Sequence, residues 1–349
     1  MKNINTSDRS RLGAYLLPGR IKNPHDGISQ ALEGEKLGLG TLWLSERWGN
    51  KDVGAICGAV SQVAPSTNIA AGTTHFLTRH PVVLASMAMT LQALTDGKFI
   101  LGVGRGIPEM FHAIGLPSVS FEHLIDSVNI HKKLCKGQSV DYSGVLGDYS
   151  GMKLVDLPDI KPPPTILGAI GPKALNLAGT HFDGVLLHPF LTPDGVKRCS
   201  DLVKKAASKA GRDPNNIKIY ATVVLAADLP ADEEEAVVGG RAVTYFQNQS
   251  YANILVNFNN WDQSVLNKLW DHPLLQNLNG NADQTFTREE LVEVSRILPK
   301  EWLLSGGAVG STDHCASRLK DYLNSGADDV IIHGSTPDKL TQTFEAFSS

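Results

Sequence analysis

The sequence predicts a parallel α/β protein closed into a (β/α)8 TIM barrel. Three observations predict it. Short apolar runs alternate with helical patterns from one end of the chain to the other. Most of these runs are rich in Val, Ile and Leu without polar alternation, as in strands buried on both faces. About eight such runs occur, and the residues suited to chemistry gather just after them, at the end where a barrel keeps its function. A doubly wound sheet would share the rhythm, but the strand count and this clustering favour closure.

The candidate strands cover residues 12–17, 41–45, 68–72, 99–103, 165–167, 184–188, 218–225 and 329–333. Helical patterns fill the gaps. Residues 24–37 open on Pro24 and stop at Gly38, a start-and-stop pair. Residues 81–94 are apolar on most faces and end before Asp96 and Gly97. Residues 173–178 open after Gly171 and Pro172. Residues 314–324 follow the capping cluster Ser311, Thr312 and Asp313 and end near Gly326. A plain barrel takes about 250 residues, so this chain of 349 carries insertions. Residues 137–157 predict a hairpin after the fourth strand. Residues 232–305 predict a helical insertion between the seventh and eighth strands. No linker or repeat divides the sequence, so it reads as one domain.

Composition narrows the function classes. The formal net charge is −4, with both signs mixed along the chain and no long basic run, so no nucleic-acid partner is expected. Cys57, Cys135, Cys199 and Cys315 lie far apart without a CxxC pair, which suits a reducing compartment. The polar N-terminal segment lacks the apolar run of a signal peptide. No apolar stretch in the sequence is long enough for a bilayer. A cytoplasmic protein with no membrane partner is expected.

The strand ends supply the candidate site. After strand two, Glu46, Arg47 and Trp48 would project at the barrel mouth. Strand three ends on the small residues Ala70, Ala71 and Gly72, which let a flat ring approach the backbone. His75 follows and can exchange a proton near neutrality. Strand four ends on Gly102, Gly104, Arg105 and Gly106, a run that lacks the third glycine position of a dinucleotide fingerprint. Arg105 could meet a phosphate or a substrate carboxylate, or a surface acid. After strand five, Gly168, Ala169, Gly171, Pro172 and Lys173 lead into a helix. Free N–H groups at that helix start, with Lys173 beside them, make the best anion site in the chain. His188 and His333 end strands six and eight. With His75 they lack metal-ligand spacing, so no metal is expected. No GxSxG elbow and no GxxxxGK[ST] loop occurs. Trp48, Phe76, Phe111 and Phe190 are expected to line the mouth.

The segments WLSERWGNKD, THFLTRHPVVLASMAMTLQALTDGKFILGVGRG, AIGPKALNLAGTHFDGVLLHPF and GADDVIIHG together resemble the luciferase-like monooxygenase superfamily. More narrowly they resemble its branch of coenzyme F420-dependent oxidoreductases, and VVGGRAVTYFQ and LVEVSRILP resemble that branch too. The resemblance implies a deazaflavin ring across the barrel mouth, against a bulge with a non-proline cis peptide at Gly72–Thr73, so Thr73 joins the cofactor residues. It places the tail phosphate at residues 168–173. The branch's acidic residue and histidine after strand two fall on Glu46 and Arg47; the arginine departs from the pattern. The family's sugar-phosphate dehydrogenases carry a glutamate where this chain has Ile107, which disfavours a sugar-phosphate substrate. The implied chemistry is hydride transfer between F420 and a small organic substrate, with His75, Glu46 and His188 as acid/base candidates and Arg47 and Arg105 stabilising negative charge. FMN-dependent monooxygenation and a non-catalytic flavin-binding barrel are the alternatives. A homodimer is the family's expectation.

Overall fold

Eight parallel strands close into a barrel in the computed structural model, which describes residues 8–48, 51–278 and 280–349. Most of the N-terminal segment and two residues of the WLSERWGNKD motif lie outside them. The strands are β1 (Leu12–Tyr15), β2 (Thr41–Leu44), β3 (Asn68–Thr74) and β4 (Phe99–Gly104). An antiparallel hairpin, β5 (Val140–Gly144) and β6 (Gly147–Met152), interrupts the series, as expected. The barrel resumes with β7 (Thr165–Ala169), β8 (Gly184–Leu187) and β9 (Lys218–Ala227). A short strand β10 (Gly307–Gly310) precedes the last, β11 (Asp329–His333). β1 pairs with β2 and β11, and β9 pairs with β11 and β8, so no edge is left in the ring.

β10 departs from the expected count. It pairs with the second half of β9, from Gly307 opposite Val224 to Gly310 opposite Ala227, where the shorter β8 has already ended. Four residues, two of them glycine, give no strand signal in sequence. β1 also stops earlier than its apolar run. Leu17 adopts a φ of 52°, a left-handed conformation that ends the extended backbone.

The barrel is filled rather than hollow. Tyr15, Trp43, Ala70, Ile100, Ile166, Leu186, Tyr220 and Ile331 form one buried cluster, with one residue from each barrel strand. A packed interior of this kind leaves chemistry to the ends. A second, larger cluster lies between strands and helices. Both faces of the strands are therefore buried, and β1, β2 and β8 are buried at every position. That is why the sequence shows apolar runs rather than alternation.

The helices start and stop on the expected signals. The first, Asp26–Leu37, ends on Gly38 in the left-handed conformation. Pro81–Leu94 matches its expected span. In Thr312–Asn324, the Ser311 hydroxyl accepts from the His314 amide. The insertion before β10 is helical, opening with Ala231–Phe246 and Gln249–Asn259. All four cysteines are free and buried. No helix among the described residues is long and apolar enough to cross a membrane.

Candidate active site

A cavity of about 1640 Å³ sits over the C-terminal ends of the barrel strands, roofed on one side by the helical insertion. Of the residues singled out by sequence, Glu46, Arg47, Gly72, Thr73, His75, Gly104, Arg105, Gly106, Gly168, Ala169, Gly171, Pro172, Lys173 and His188 border it, whereas Ala70, Ala71 and Gly102 do not. His333 borders it too.

The floor is built by β3, β4 and β7. The register of β3 against β4 slips between Ala71 and Thr74, so the strand bulges there, and the Gly72–Thr73 bond within the bulge is cis. The Thr73 side chain lies against Gly104 and Gly168. A Cβ on Gly104 would come within 2.8 Å of the Thr73 hydroxyl, and one on Gly168 within 3.0 Å of its methyl. Glycine at both positions lets Thr73 lie flat and keeps the floor low. Gly72 is fixed from below: its carbonyl accepts from the Tyr15 hydroxyl at 2.9 Å, and a Cβ there would strike Trp43 at 2.4 Å.

At one end of the floor Gly171 caps the helix Pro172–His181 without any side-chain hydrogen bond. Pro172 takes the first helical position, and exposed Lys173 follows. The first amides of this helix therefore carry the unmet donors and positive dipole end that suit an anion. Arg105, just after β4, borders the same cavity and is exposed, its guanidinium 5.4 Å from the Phe121 ring centroid.

The two candidate histidines are held alike. His75 Nδ1 lies 3.0 Å from the Gly104 carbonyl, and His188 Nδ1 lies 3.0 Å from the Pro189 carbonyl. A carbonyl can only accept, so Nδ1 carries the hydrogen and Nε2 presents a lone pair. Burial lowers both pKa values, that of His188 to about 4. For His75 the Gly104 hydrogen bond works against burial and does not overcome it. Both rings are therefore neutral acceptors at neutral pH. Trp48 and Phe111 meet His75 edge-on, at 6.2 and 5.3 Å between centroids.

Glu46 is placed differently from a free base. Both its oxygens accept from Arg79 at 2.6 Å, and it also accepts from the Thr74 hydroxyl. Arg79 reaches on to Asp52 at 2.7 Å. This network ties the bulge to the loop after β2. Arg47 is likewise engaged: it donates to the Gly19 carbonyl and to Asp283 of the insertion, both at 3.1 Å.

The aromatic lining differs from expectation. Trp48 borders the cavity, but Phe76, Phe111 and Phe190 are buried in the core. Phe76 lies on the short turn Phe76–Thr78, Phe111 on the short helix Pro108–Ala113 and Phe190 at a left-handed φ of 66°, too little regular structure for sequence periodicity to give their facing, and all three rings pack inward. Tyr15, Phe121, Tyr245, Tyr251 and Trp270 line it instead. Sequence reasoning also missed Lys51, Arg79 and Arg241. Lys51 and Arg79 stand inside the motifs already quoted, and Arg241 is a lone cation in the apolar run GGRAVTYF.

The profile of the luciferase-like monooxygenase family matches residues 5–329. The chain belongs to that family. Among its relatives is a 5,10-methylenetetrahydromethanopterin reductase of Methanolobus tindarius, 29% identical over 56% of this chain and 60% of that protein. The reductase of the same name from Archaeoglobus fulgidus is 23% identical over 87% of this chain and 88% of its own length. An F420-dependent glucose-6-phosphate dehydrogenase of Amycolatopsis mediterranei is 22% identical over 92% and 93%. The first of these matches spans less than two thirds of the relative; the other two span nearly all. Among solved structures, the coenzyme F420-dependent tetrahydromethanopterin reductase of Methanopyrus kandleri superposes with a TM-score of 0.75 at 18% identity, covering 97% of this chain and 96% of that one. At that identity the likeness shows the shared barrel. The enzyme class of this luciferase-like protein is oxidoreductase.

Proposed function

We propose that this luciferase-like protein uses coenzyme F420 and moves a hydride between the deazaflavin and a small organic substrate. The observation that carries this reading is the continuity of one cavity, from the flat floor at Gly72, Thr73, Gly104 and Gly168 to the uncapped helix start at Gly171. A planar ring with an anionic tail matches that shape. Gly72, Thr73, Gly104 and Gly168 would hold the ring; Gly171, Pro172 and Lys173 would hold the tail phosphate. When bound, F420 would supply a two-electron carrier that reacts poorly with oxygen. The F420-dependent relatives support the choice of cofactor.

The protein's part is positioning and proton transfer. His75 Nε2 takes the proton from the substrate's hydroxyl as it is oxidised and returns it in the reverse direction. His188, neutral and across the mouth, orients the same oxygen or a second one. Glu46 holds the bulge through Arg79 and Thr74 rather than acting on substrate. Arg105, exposed at the rim, steers anions inward. The insertion excludes water from the roof.

Titration under anaerobic conditions tests the reading. Saturable F420 binding, followed by its fluorescence, with FMN at least about tenfold weaker is expected. Turnover across an alcohol and ketone panel should proceed without oxygen. Oxygen-dependent turnover with FMN would overturn the proposal in favour of a monooxygenase. Binding without reaction on any substrate would favour a non-catalytic barrel.

A further inference from the structure

The cavity has a charged corner to which the reading above gives no task. It lies where the loop after β2 meets β11 and the insertion helix Ala231–Phe246. Lys51 is 2% exposed, yet it borders the cavity. Its ammonium donates to the Leu17 carbonyl at 2.8 Å and the Ser45 hydroxyl at 3.3 Å, both neutral. A buried cation without an anion is costly. Arg241 borders the same corner and has no ion-pair partner among the described residues. The acid that acts on Lys51, Asp283, is already paired with Arg47 at 3.1 Å. Lys51 thus feels the positive charges of Arg47 and Arg241 and, among the described residues, the opposing charge of Asp283.

His333 closes the corner from below. It is 7% exposed, and its buried Nδ1 has no hydrogen-bond partner among the described residues. Burial first, and then the charges of Arg241 and Lys51, keep this ring neutral. Its ring lies 4.9 Å from that of Tyr15, whose hydroxyl is bonded to Gly72 on the floor.

We propose that Lys51 and Arg241, above His333 and Tyr15, receive the carboxylate of an anionic substrate, so that the enzyme acts on small organic acids. The inference rests on the cofactor reading, because Tyr15 ties this corner to the place where the ring would lie. A guanidinium fork and an ammonium match a carboxylate's two oxygens with charge-assisted hydrogen bonds. The ion would also relieve the charge imbalance that the fold leaves here. Burial, then Arg47 and Arg241, lower the Lys51 amine to about 8, and an arriving anion would reverse that push. The corner and the helix start at Gly171 are built by different elements, so substrate acid and cofactor tail need not compete.

Calorimetric titration of the purified full chain with benzoate, propionate and 2-hydroxyacids, each against its uncharged amide, tests this. Wild type should bind acids at least about tenfold more tightly than amides. Arg241→Gln should lose about tenfold of that preference, with circular dichroism and F420 fluorescence titration unchanged. Lys173→Gln should keep it. Should Arg241→Gln fail to fold, Arg241→Lys retains the charge without the fork, and the preference should fall by about threefold. Equal binding of acids and amides, a preference indifferent to Arg241, or one that depends on Lys173 would overturn the inference. Failure of F420 to bind with the acid preference intact overturns only the cofactor reading; the reverse result overturns only this one.

Discussion

His75 and Lys51 show how burial decides what one side chain can do. Burial keeps His75 neutral, and the Gly104 carbonyl fixes its tautomer, so the free Nε2 is an acceptor. Replacing His75 by Ala should lower turnover by a factor of about 10²–10⁴ while F420 binding is kept; steady-state kinetics beside a fluorescence titration check both halves. Unchanged turnover would remove His75 from the mechanism. Lys51 offers a test by pH. Its amine titrates near 8 in the folded protein against 10.5 in an exposed lysine. Between those values the unfolded chain holds a proton that the folded chain has released, so this group's contribution to stability rises with pH. Below pH 8 both states are protonated, and the burial penalty is fully present. Lys51→Met removes that penalty. Its stability relative to wild type should therefore be highest below pH 8 and decline toward pH 10.5, as read by denaturant midpoints across the range. A difference that stays flat with pH contradicts the assignment.

At the scale of the element, β3 and its bulge carry the site. The bulge is held by an ion network, with Glu46 5% exposed in its side chain and Arg79 14% exposed. Removing one member of a buried pair leaves the other charged and alone, which costs about 3–5 kcal/mol. Arg79→Ala should destabilise the protein by about that amount in urea unfolding. Glu46→Gln, which keeps the shape and one oxygen acceptor, should cost less. Equal and small effects would mean that the network is decorative. The floor gives a second test. Gly104→Ala would press a methyl to 2.8 Å from the Thr73 hydroxyl, so the Thr73 side chain must shift. Overpacking of this sort costs about 1–3 kcal/mol. It should also raise the F420 dissociation constant by tilting Thr73 into the ring's place, whereas an unchanged constant would place the ring elsewhere.

The whole molecule was legible in sequence where its physics is repetitive. Strands buried on both faces write continuous apolar runs, so all eight barrel strands could be found, together with the hairpin and the helical insertion. Caps such as Ser311 and Gly38 announce themselves by residue type. The short β10 could not be found, because its pairing is provided by the free half of β9 rather than by its own residues. The site divided in the same way. Residues that follow a strand immediately, from Glu46 to Lys173, were placed at the mouth because the barrel fixes where strand ends lie. What those side chains touch was not legible. That Glu46 is engaged by Arg79, that Phe76, Phe111 and Phe190 turn inward, and that Arg241 descends from the insertion are facts of packing between distant segments.

Where a bound cofactor's two ends lie decides the proposed function, and a crystal structure of the F420 complex measures that directly. The expected result is the deazaflavin ring over Gly72 and Thr73, with the tail phosphate within hydrogen-bonding distance of the amides at Gly171–Lys173. A phosphate bound at the Lys51–Arg241 corner, or a ring away from the β3 bulge, would contradict it.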